Sequence, residues 1–482
     1  MTSSPLLERL SARLGPKGFT ADPVAIAPWA EDWRGRWKGA AAALLSPAST
    51  EEVADVVRLC AEARVPLVPQ GGNTSMAAGA TPDASGDAMI LSLRRMNRIR
   101  ALDADTDSAV CEAGVILADL HTATAEVGRR FPLTLGAKGS ATIGGLASTN
   151  AGGTQVLRFG TMRTLIQGIE AVLPDGSVWN GLTALKKDNR GYDLKHLLVG
   201  GEGTLGVITA ANLRLVPAVG ARSVAWIGLD TPDAALDLLR MLEAAMGDAV
   251  ESFELVPRVA LDLVLAHVPG TRAPLAEPHA WNVLIEAVSP MAAPSPEKAL
   301  YEALHSALGT GLAADAVIAA NERQAENFWR LRDSISEAEK QAGPAAKHDI
   351  SVEVAAMPRF MREGSAAVES AFPGTRVIAF GHLGDGNVHF NVGAPLGAGP
   401  EWQESEGTRV TSYAHDLVVA AGGSISAEHG IGQMRLAELA RLTDPARLAA
   451  QRAIKAALDP HGIMNPGKLV PPAPAPGAGS LA

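Results

Sequence analysis

Apolar and polar positions along this chain recur with two distinct periods, and those periods predict most of its elements. In "STEEVADVVRLCAEARVPLVP", residues 49–69, Val53, Val56, Val57 and Cys60 recur at helical spacing. Ser49 and Glu52 stand at the spacing of a capping box. "VPLVP" predicts a buried strand that runs into "QGGNTSMAAGA", and "MILSL" and "SAVCEAGV" predict two more. Ile116, Leu117, Leu120 and Val127 line one side of a helix expected over 115–128. Residues 131–160 break the pattern, being rich in Gly, Ala, Ser and Thr with few large side chains. "GIEAVLPDGSVWN" predicts a hairpin turning at Asp175-Gly176, and a strand ending at Pro217 follows a short helix and a glycine loop. Beyond a boundary near 218, helices at 232–246 and 321–341 alternate with strands at 281–288 and 376–382. The resulting expectation is an α+β chain: an N-terminal segment 1–45, a domain 46–218, a second α+β domain 219–420, a C-terminal segment 421–470 and a Pro/Ala/Gly-rich disordered tail 471–482.

Composition narrows the function classes. A length of 482 residues allows large cores in two or three domains. A formal charge of −10 leaves no electrostatic footprint for nucleic acid or an anionic membrane. No apolar run approaches the ~20 residues that span a bilayer, and "MTSSPLLERLSARLG" lacks the basic and apolar regions of a secretory signal. A cytoplasmic location is expected. Cys60 and Cys111, the only cysteines, read as small buried apolar residues.

Candidate chemistry begins at "FGHLGDGNVHFNV", residues 380–392, which holds two of the eleven histidines. Asp-Gly between apolar residues signals a two-residue hairpin turn. With Asp385 and Gly386 central, His382 pairs directly with His389, Phe380 with Asn391, and Leu383 and Val388 face the other way. Two imidazoles so placed can hold a metal ion, but they also read as solvent-facing strand residues or a satisfied buried pair. A metal site needs a third ligand from elsewhere.

Three stretches, "PQGGNTS", "GAKGSATIGG" and "GGEGTLG", lie in the first domain and offer backbone N–H groups with little side-chain bulk. Such loops form anion-binding nests. None matches a dinucleotide-binding G-x-G-x-x-G after a first strand, and none matches a Walker A sequence. Together they suggest an extended phosphate-bearing cofactor.

Six blocks carry a resemblance: "VPQGGNTS", "LGAKGSATIGGLASTNAGG", "KKDNRGYDLKHLLVGGEGTLGVIT", "GHLGDGNVHFNV", "GGSISAEHGIG" and "LDPHGIMNPGKL". In this order, over residues 40–470, the chain resembles the vanillyl-alcohol-oxidase (PCMH-type) FAD enzymes, nearest the D-2-hydroxyglutarate dehydrogenases, with the D-lactate dehydrogenase/glycolate oxidase subunit group nearby. The resemblance implies a PCMH-type FAD-binding domain, an α+β substrate (cap) domain, and a C-terminal helical segment returning to the flavin. It assigns FAD to Gly71, Gly72, Asn73, Thr74, Ser75, Gly139, Ser140, Thr142, Gly144, Gly145, Asn150, Gly152, Gly153, Glu202, Gly203, Gly206, Ile208 and Asn465. Some relatives tether the flavin through a His or Cys in the first glycine loop. Residues 65–80 contain neither, so noncovalent FAD is expected.

The resemblance further implies zinc, or another divalent metal, on His382, His389 and Glu428, with His429 as the general base. Substrate contacts fall to Arg332, Ser336, Lys347, Asn391 and His429. Arg332 and Ser336 stand one helical turn apart, and Arg binds carboxylates bidentately. The family's Thr is Ser at 336, and its Tyr is His at 348, which bears on pocket shape. The implied activity is oxidation of D-2-hydroxyglutarate to 2-oxoglutarate by hydride transfer to flavin N5. D-lactate or D-malate is the alternative within the class; a metal-dependent hydrolase and a non-catalytic flavin-binding protein are alternatives outside it. Electron-transfer flavoprotein or a quinone is the expected electron acceptor, and a homodimer is a family expectation.

Overall fold

The computed structural model describes residues 4–472, so the predicted tail falls almost wholly outside the described residues. The chain divides into two units. Unit 1 contains residues up to 152, 161–217 and those from 428 on; unit 2 contains 153–160 and 218–427.

In unit 1 the helix Thr50–Ala63 forms where the apolar spacing requires it, burying Val53, Val56, Val57 and Cys60. Each such side chain contributes about 1.5–3 kcal/mol when taken out of water. Ser49 Oγ accepts from the Glu52 N–H at 3.2 Å, and Glu52 reaches back to the Ala48 N–H at 2.7 Å, one residue beyond the predicted box. Arg64, at φ +55°, ends the helix. The residues expected as a separate N-terminal segment belong here: Leu6, Leu10 and Leu14 share a core with this helix, and strand Ala43–Leu45 runs parallel to Met89–Ser92. Leu67–Gln70 lies parallel on the other side of Met89–Ser92. A second, antiparallel sheet has the order Ile99–Asp103, Ser108–Glu112, Val207–Arg214, Ile166–Val172, Val178–Gly181. Burial pushes the thiols of both Cys60 and Cys111 up to about 12, so they act as small apolar groups.

Unit 2 is built on a seven-stranded antiparallel sheet. Its order is Asp315–Ile318, Ala221–Leu229, Trp281–Ser289, Val250–Pro257, Arg376–His382, Asn387–Gly393, Ala345–Ser351. Strand alternation sorts the side chains. Ile227, Ile285, Leu255, Ala379, Phe390 and Ile350 enter one large core under the helices Pro232–Met246, Glu297–Thr310, Met357–Ala371 and Glu406–Ala420. The opposite face is divided. Trp226, Leu284 and Phe380 pack with helices Arg258–His267, Glu322–Asp333 and Ile335–Gln341. Toward the Ala345–Ser351 edge that face turns polar, carrying Glu254, His382, Asn387, Asn391 and Asp349 at buried positions.

The units part differently from the predicted boundaries. Residues 421–427 stay with unit 2, because Ser424 bridges Ser351 and the Ala427 N–H donates to Asp349 O at 3.2 Å. Residues 153–160 do likewise: Arg158 pairs with buried Glu251 at 3.0 Å, and Ser252 Oγ donates to Thr154 O. The helix expected over 321–341 is two helices meeting at Ser334.

The histidine hairpin has a longer loop than predicted. His382 pairs with Asn387, and His389 pairs with Phe380. The loop Leu383–Gly386 closes with the Gly386 N–H donating to His382 O at 3.1 Å, and Gly386 alone in it has a left-handed backbone, φ +79°. A type I′ turn needs two such residues. The change shifts the pairing by two positions and so preserves parity. His382 and His389 therefore still share a face, as diagonal rather than opposed residues, with ring centroids 5.6 Å apart. Leu383 and Val388 enter the large core on the other face.

Gly386 meets two constraints at once, since a Cβ there would also run into the Val352 carbonyl oxygen. Gly397 has a similar φ of +85° but open space around it. Gly397→Ala should cost about 1 kcal/mol from backbone conformation alone, and Gly386→Ala should cost more. Urea unfolding of the two variants checks the order; equal losses would mean that the loop has room to shift.

Candidate active site

Unit 1 contains a cavity of about 660 Å³, within the range of small-molecule sites. Its wall is rich in glycine and other small residues. Gly71–Ser75, Ser140, Thr142, Gly144, Gly145, Gly152, Glu202, Gly203, Gly206 and Ile208 line it. The first two glycine loops lie against each other: a Cβ on Gly71 would meet Thr142 Oγ1, and one on Gly72 would meet Ser140 O. Thr142 Oγ1 and Gln70 Oε1, on lining residues, are buried without a hydrogen-bond partner among the described residues. Unpartnered buried polar atoms beside a glycine-rich cavity fit a polar ligand.

The C-terminal segment completes the wall with Glu428 and His429. Arg435 Nη2 lies 3.5 Å from His429 Nδ1. Glu202, in a left-handed conformation, accepts from the Ile431 and Gly432 N–H groups at 2.7 and 2.8 Å. Burial pushes its carboxyl up, and those two donors pull the other way. Asn465 Nδ2 donates to Gly79 O and Glu202 O. These bonds fix the segment that carries His429 to the glycine loops.

On the polar face of unit 2, Glu254 is fully enclosed. Its Oε1 lies 2.6 Å from His382 Nδ1, and its Oε2 accepts from Arg332 Nε at 2.8 Å and pairs with Nη2 at 2.8 Å. Burial acts to push the Glu254 carboxyl up, but the charges and hydrogen bonds of Arg332 and His382 outweigh it and hold the group down at about 2. Two and three strands away, Asn391 and Lys347 form a cross-strand pair. Both reach one buried carboxylate: Glu339 accepts from Lys347 at 2.9 Å and from Asn391 through both oxygens, at 3.0 and 2.9 Å.

Comparison with known proteins gives this geometry a family. The description "FAD linked oxidases, C-terminal domain" matches residues 220–469, and "FAD binding domain" matches 41–181. The chain is 36% identical to the mitochondrial D-2-hydroxyglutarate dehydrogenase of Arabidopsis thaliana over 458 residues, covering 95% of this chain and 80% of that protein. It is 37% identical to the mitochondrial D-2-hydroxyglutarate dehydrogenase of Bos taurus, covering 95% and 82%. The chain belongs to the FAD-linked D-2-hydroxyacid dehydrogenase family. A solved structure of p-cresol methylhydroxylase with substrate bound shares its fold, with a TM-score of 0.75 at 16% identity over 97% of this chain and 96% of that one.

For this dehydrogenase, four residues that the resemblance assigned to FAD stand outside the cavity lining. Gly139 leads up to it. Asn150 is a left-handed helix cap whose Oδ1 accepts from Thr161 Oγ1 and the Arg163 N–H. Asn465 holds Glu202, and Gly153 belongs to unit 2. Trp33, Gly79, Leu135 and Ser148 line the cavity without having been singled out. Only Leu135 and Ser148 fell in a stretch whose composition was distinctive.

The substrate residues need more correction. Arg332 is buried against Glu254, whereas Ser336 is exposed, because the buried stripe continues through Ile335 and Glu339. The side chain of His348 does not share a face with that of Lys347. It points to the opposite face, where Nδ1 meets Phe390 O at 2.7 Å and Nε2 meets Thr411 Oγ1 at 3.1 Å, so it has no bearing on the polar face. Glu254 and Glu339 were missed altogether, although a lone Glu in the apolar run "FELV" is the signal of a buried charge that must have a partner.

Removing one partner of a buried ion pair leaves an uncompensated charge. Arg332→Ala should therefore cost about 3–5 kcal/mol of stability, against less than about 0.5 kcal/mol for exposed Ser336→Ala. The folded Glu254 carboxyl titrates below its unfolded value, so its contribution is present above about pH 4.5 and is lost as pH falls toward 2. Urea midpoints at pH 6 and pH 3 test both points, because the gap between the parent and Glu254→Gln should narrow at the lower pH.

Proposed function

We propose that this dehydrogenase oxidises D-2-hydroxyglutarate to 2-oxoglutarate, with noncovalently bound FAD, a divalent metal such as zinc on His382, His389 and Glu428, and His429 as the base. The observation that carries this reading is that His429 and Glu428 line the glycine-rich cavity. When bound, FAD supplies an acceptor for the hydride from C2, and the metal supplies a Lewis acid toward the substrate hydroxyl. His429 takes the hydroxyl proton, a task suited to an imidazole near neutral pH.

His382 and His389 share a sheet face, and two imidazoles with one carboxylate suit a zinc site that keeps an open position. Nδ1 of His382 faces Glu254, so Nε2 is the nitrogen through which it would ligate. Arg332 Nη2 lies 3.4 Å from that nitrogen. Glu428 follows Ala427, whose N–H is bonded to Asp349 on the strand next to the one bearing His389. The cavity lining includes no cysteine, and His429 is its one histidine, which supports noncovalent FAD.

Charge favours a second reading, a monocarboxylate such as D-lactate. Arg332 and Lys347 each face a buried carboxylate, so neither brings net positive charge for a second substrate carboxylate.

Anaerobic flavin bleaching tests the assignment. D-2-hydroxyglutarate should reduce the flavin and its L-enantiomer should not; a higher kcat/KM for D-lactate would transfer the assignment to the second reading. Acid precipitation should release all the yellow colour, and colour kept by the pellet would contradict noncovalent binding. His429→Ala should retain FAD and slow reduction by about 10²–10⁴-fold; a rate within a factor of two of the parent removes His429 as the base.

A further inference from the structure

Glu254 does more for the site than balance Arg332. Its strand is paired so that Glu254 lies directly opposite His382. At 2.6 Å from Oε1, Nδ1 of His382 must carry the proton, because an ionised carboxylate can only accept. Whenever the ring is neutral, its lone pair is therefore on Nε2. Arg332 Nη2, a donor 3.4 Å from Nε2, is consistent with the same tautomer. Arg332 also ties down the second oxygen of Glu254 through Nε and Nη2, so the carboxylate cannot rotate away from the imidazole.

We propose that Glu254 is a positioning residue for metal binding: it fixes the tautomer and orientation of His382 so that Nε2 is presented as a ligand nitrogen. This inference rests on the metal reading above. A carboxylate behind a ligating imidazole raises the basicity of the ligand nitrogen as well as holding the ring. The competing account is a purely structural ion pair fastening helix Glu322–Asp333 to the sheet. Glu286 supplies the control. It is a largely buried carboxylate on the same face of the same sheet, held by Arg222 Nε at 2.9 Å and Trp329 Nε1 at 2.7 Å, with no histidine bonded to it among the described residues.

The test uses the full-length FAD-loaded protein, freed of metal with a chelator and titrated with Zn²⁺ against a competing dye. Co²⁺ absorption provides an independent report of coordination. Glu254→Gln should bind Zn²⁺ about 10–100-fold more weakly and alter the Co²⁺ spectrum, while the flavin spectrum stays that of the parent. Glu254→Asp, which keeps the charge with a shorter reach, should fall between, and Glu286→Gln should bind as the parent does. Parent-like affinity in a folded Glu254→Gln overturns the inference, as does equal weakening in Glu286→Gln. If Glu254→Gln does not fold, Glu254→Asp decides: weaker Zn²⁺ binding supports the inference and parent-like binding overturns it. A parent that binds no Zn²⁺ overturns the metal reading itself, an outcome distinct from a parent that binds and a variant that is unchanged.

Discussion

A charge buried under a β-sheet has to be answered within hydrogen-bond reach, and Glu254 sets that requirement for the polar end of unit 2. Desolvating an ion costs several kcal/mol, so an unpaired carboxylate at this position would be incompatible with the fold. Arg332 is therefore drawn from its helix onto the sheet, and His382 is turned so that Nδ1 faces the carboxylate. The same requirement recurs with its sign reversed at Lys347, whose partner Glu339 comes from the following helix. Arg332 and Glu339 are seven residues apart, two helical turns, so one side of the helical pair Glu322–Gln341 is fastened to the sheet at two charged points. Apolar residues between and before them, Phe328, Leu331 and Ile335, close the rest of that side.

Unit 1 solves a different problem. Its cavity exists because side chains are missing, not because charges are placed. Gly71 and Gly72 lie so close to the Thr142 and Ser140 region that any Cβ would force the loops apart. Closing such a wall leaves backbone groups to satisfy, and Glu202 and Asn465 do so by joining the glycine loops to the C-terminal segment. Lys455 adds to the connection, its Nζ donating to Thr204 O, Met464 O and Asp459. A histidine on that segment thereby becomes part of the cavity wall although hundreds of residues separate it from the first glycine loop.

Local rules made the elements legible and left their long-range partners hidden. The helix Pro232–Met246 and the strand Arg376–His382 have the bounds that apolar periodicity predicts. The histidine hairpin shows how far such a rule reaches. Parity, which depends only on the period of two, correctly put both histidines on one face. Register depended on the turn, and the two-residue rule failed because Leu383 leaves the hairpin to donate to Phe253 O on the next strand. Arg332 and Ser336 failed for a related reason: i,i+4 spacing says which residues are near each other on a helix, but not which of them faces the sheet. The glycine-rich stretch 131–160 was recognisable as unusual. Its division between the two units at Gly152 was not, because the tie between Arg158 and Glu251 spans 93 residues.

Cations on a helix are easy to read as waiting for a substrate, since their counter-ions lie far off in sequence; Glu254 is 78 residues from Arg332. With those counter-ions in view, Arg332, Lys347, Glu254 and Glu339 sum to zero formal charge. Opposite charges held at 2.8–2.9 Å present mostly a dipole to anything farther away, and a dipole attracts an acid far less than a bare cation does. Net attraction for an anionic substrate on this face must then come from outside the quartet. The paired imidazoles of His382 and His389 occupy the same face, as does the buried carboxylate of Asp349, and a dication held there would offset that carboxylate and supply the positive charge that the quartet lacks. On this argument a metal bound there and an acid substrate would be coupled: without an ion, the buried carboxylates that stabilise the fold also cancel the charge that the substrate would need.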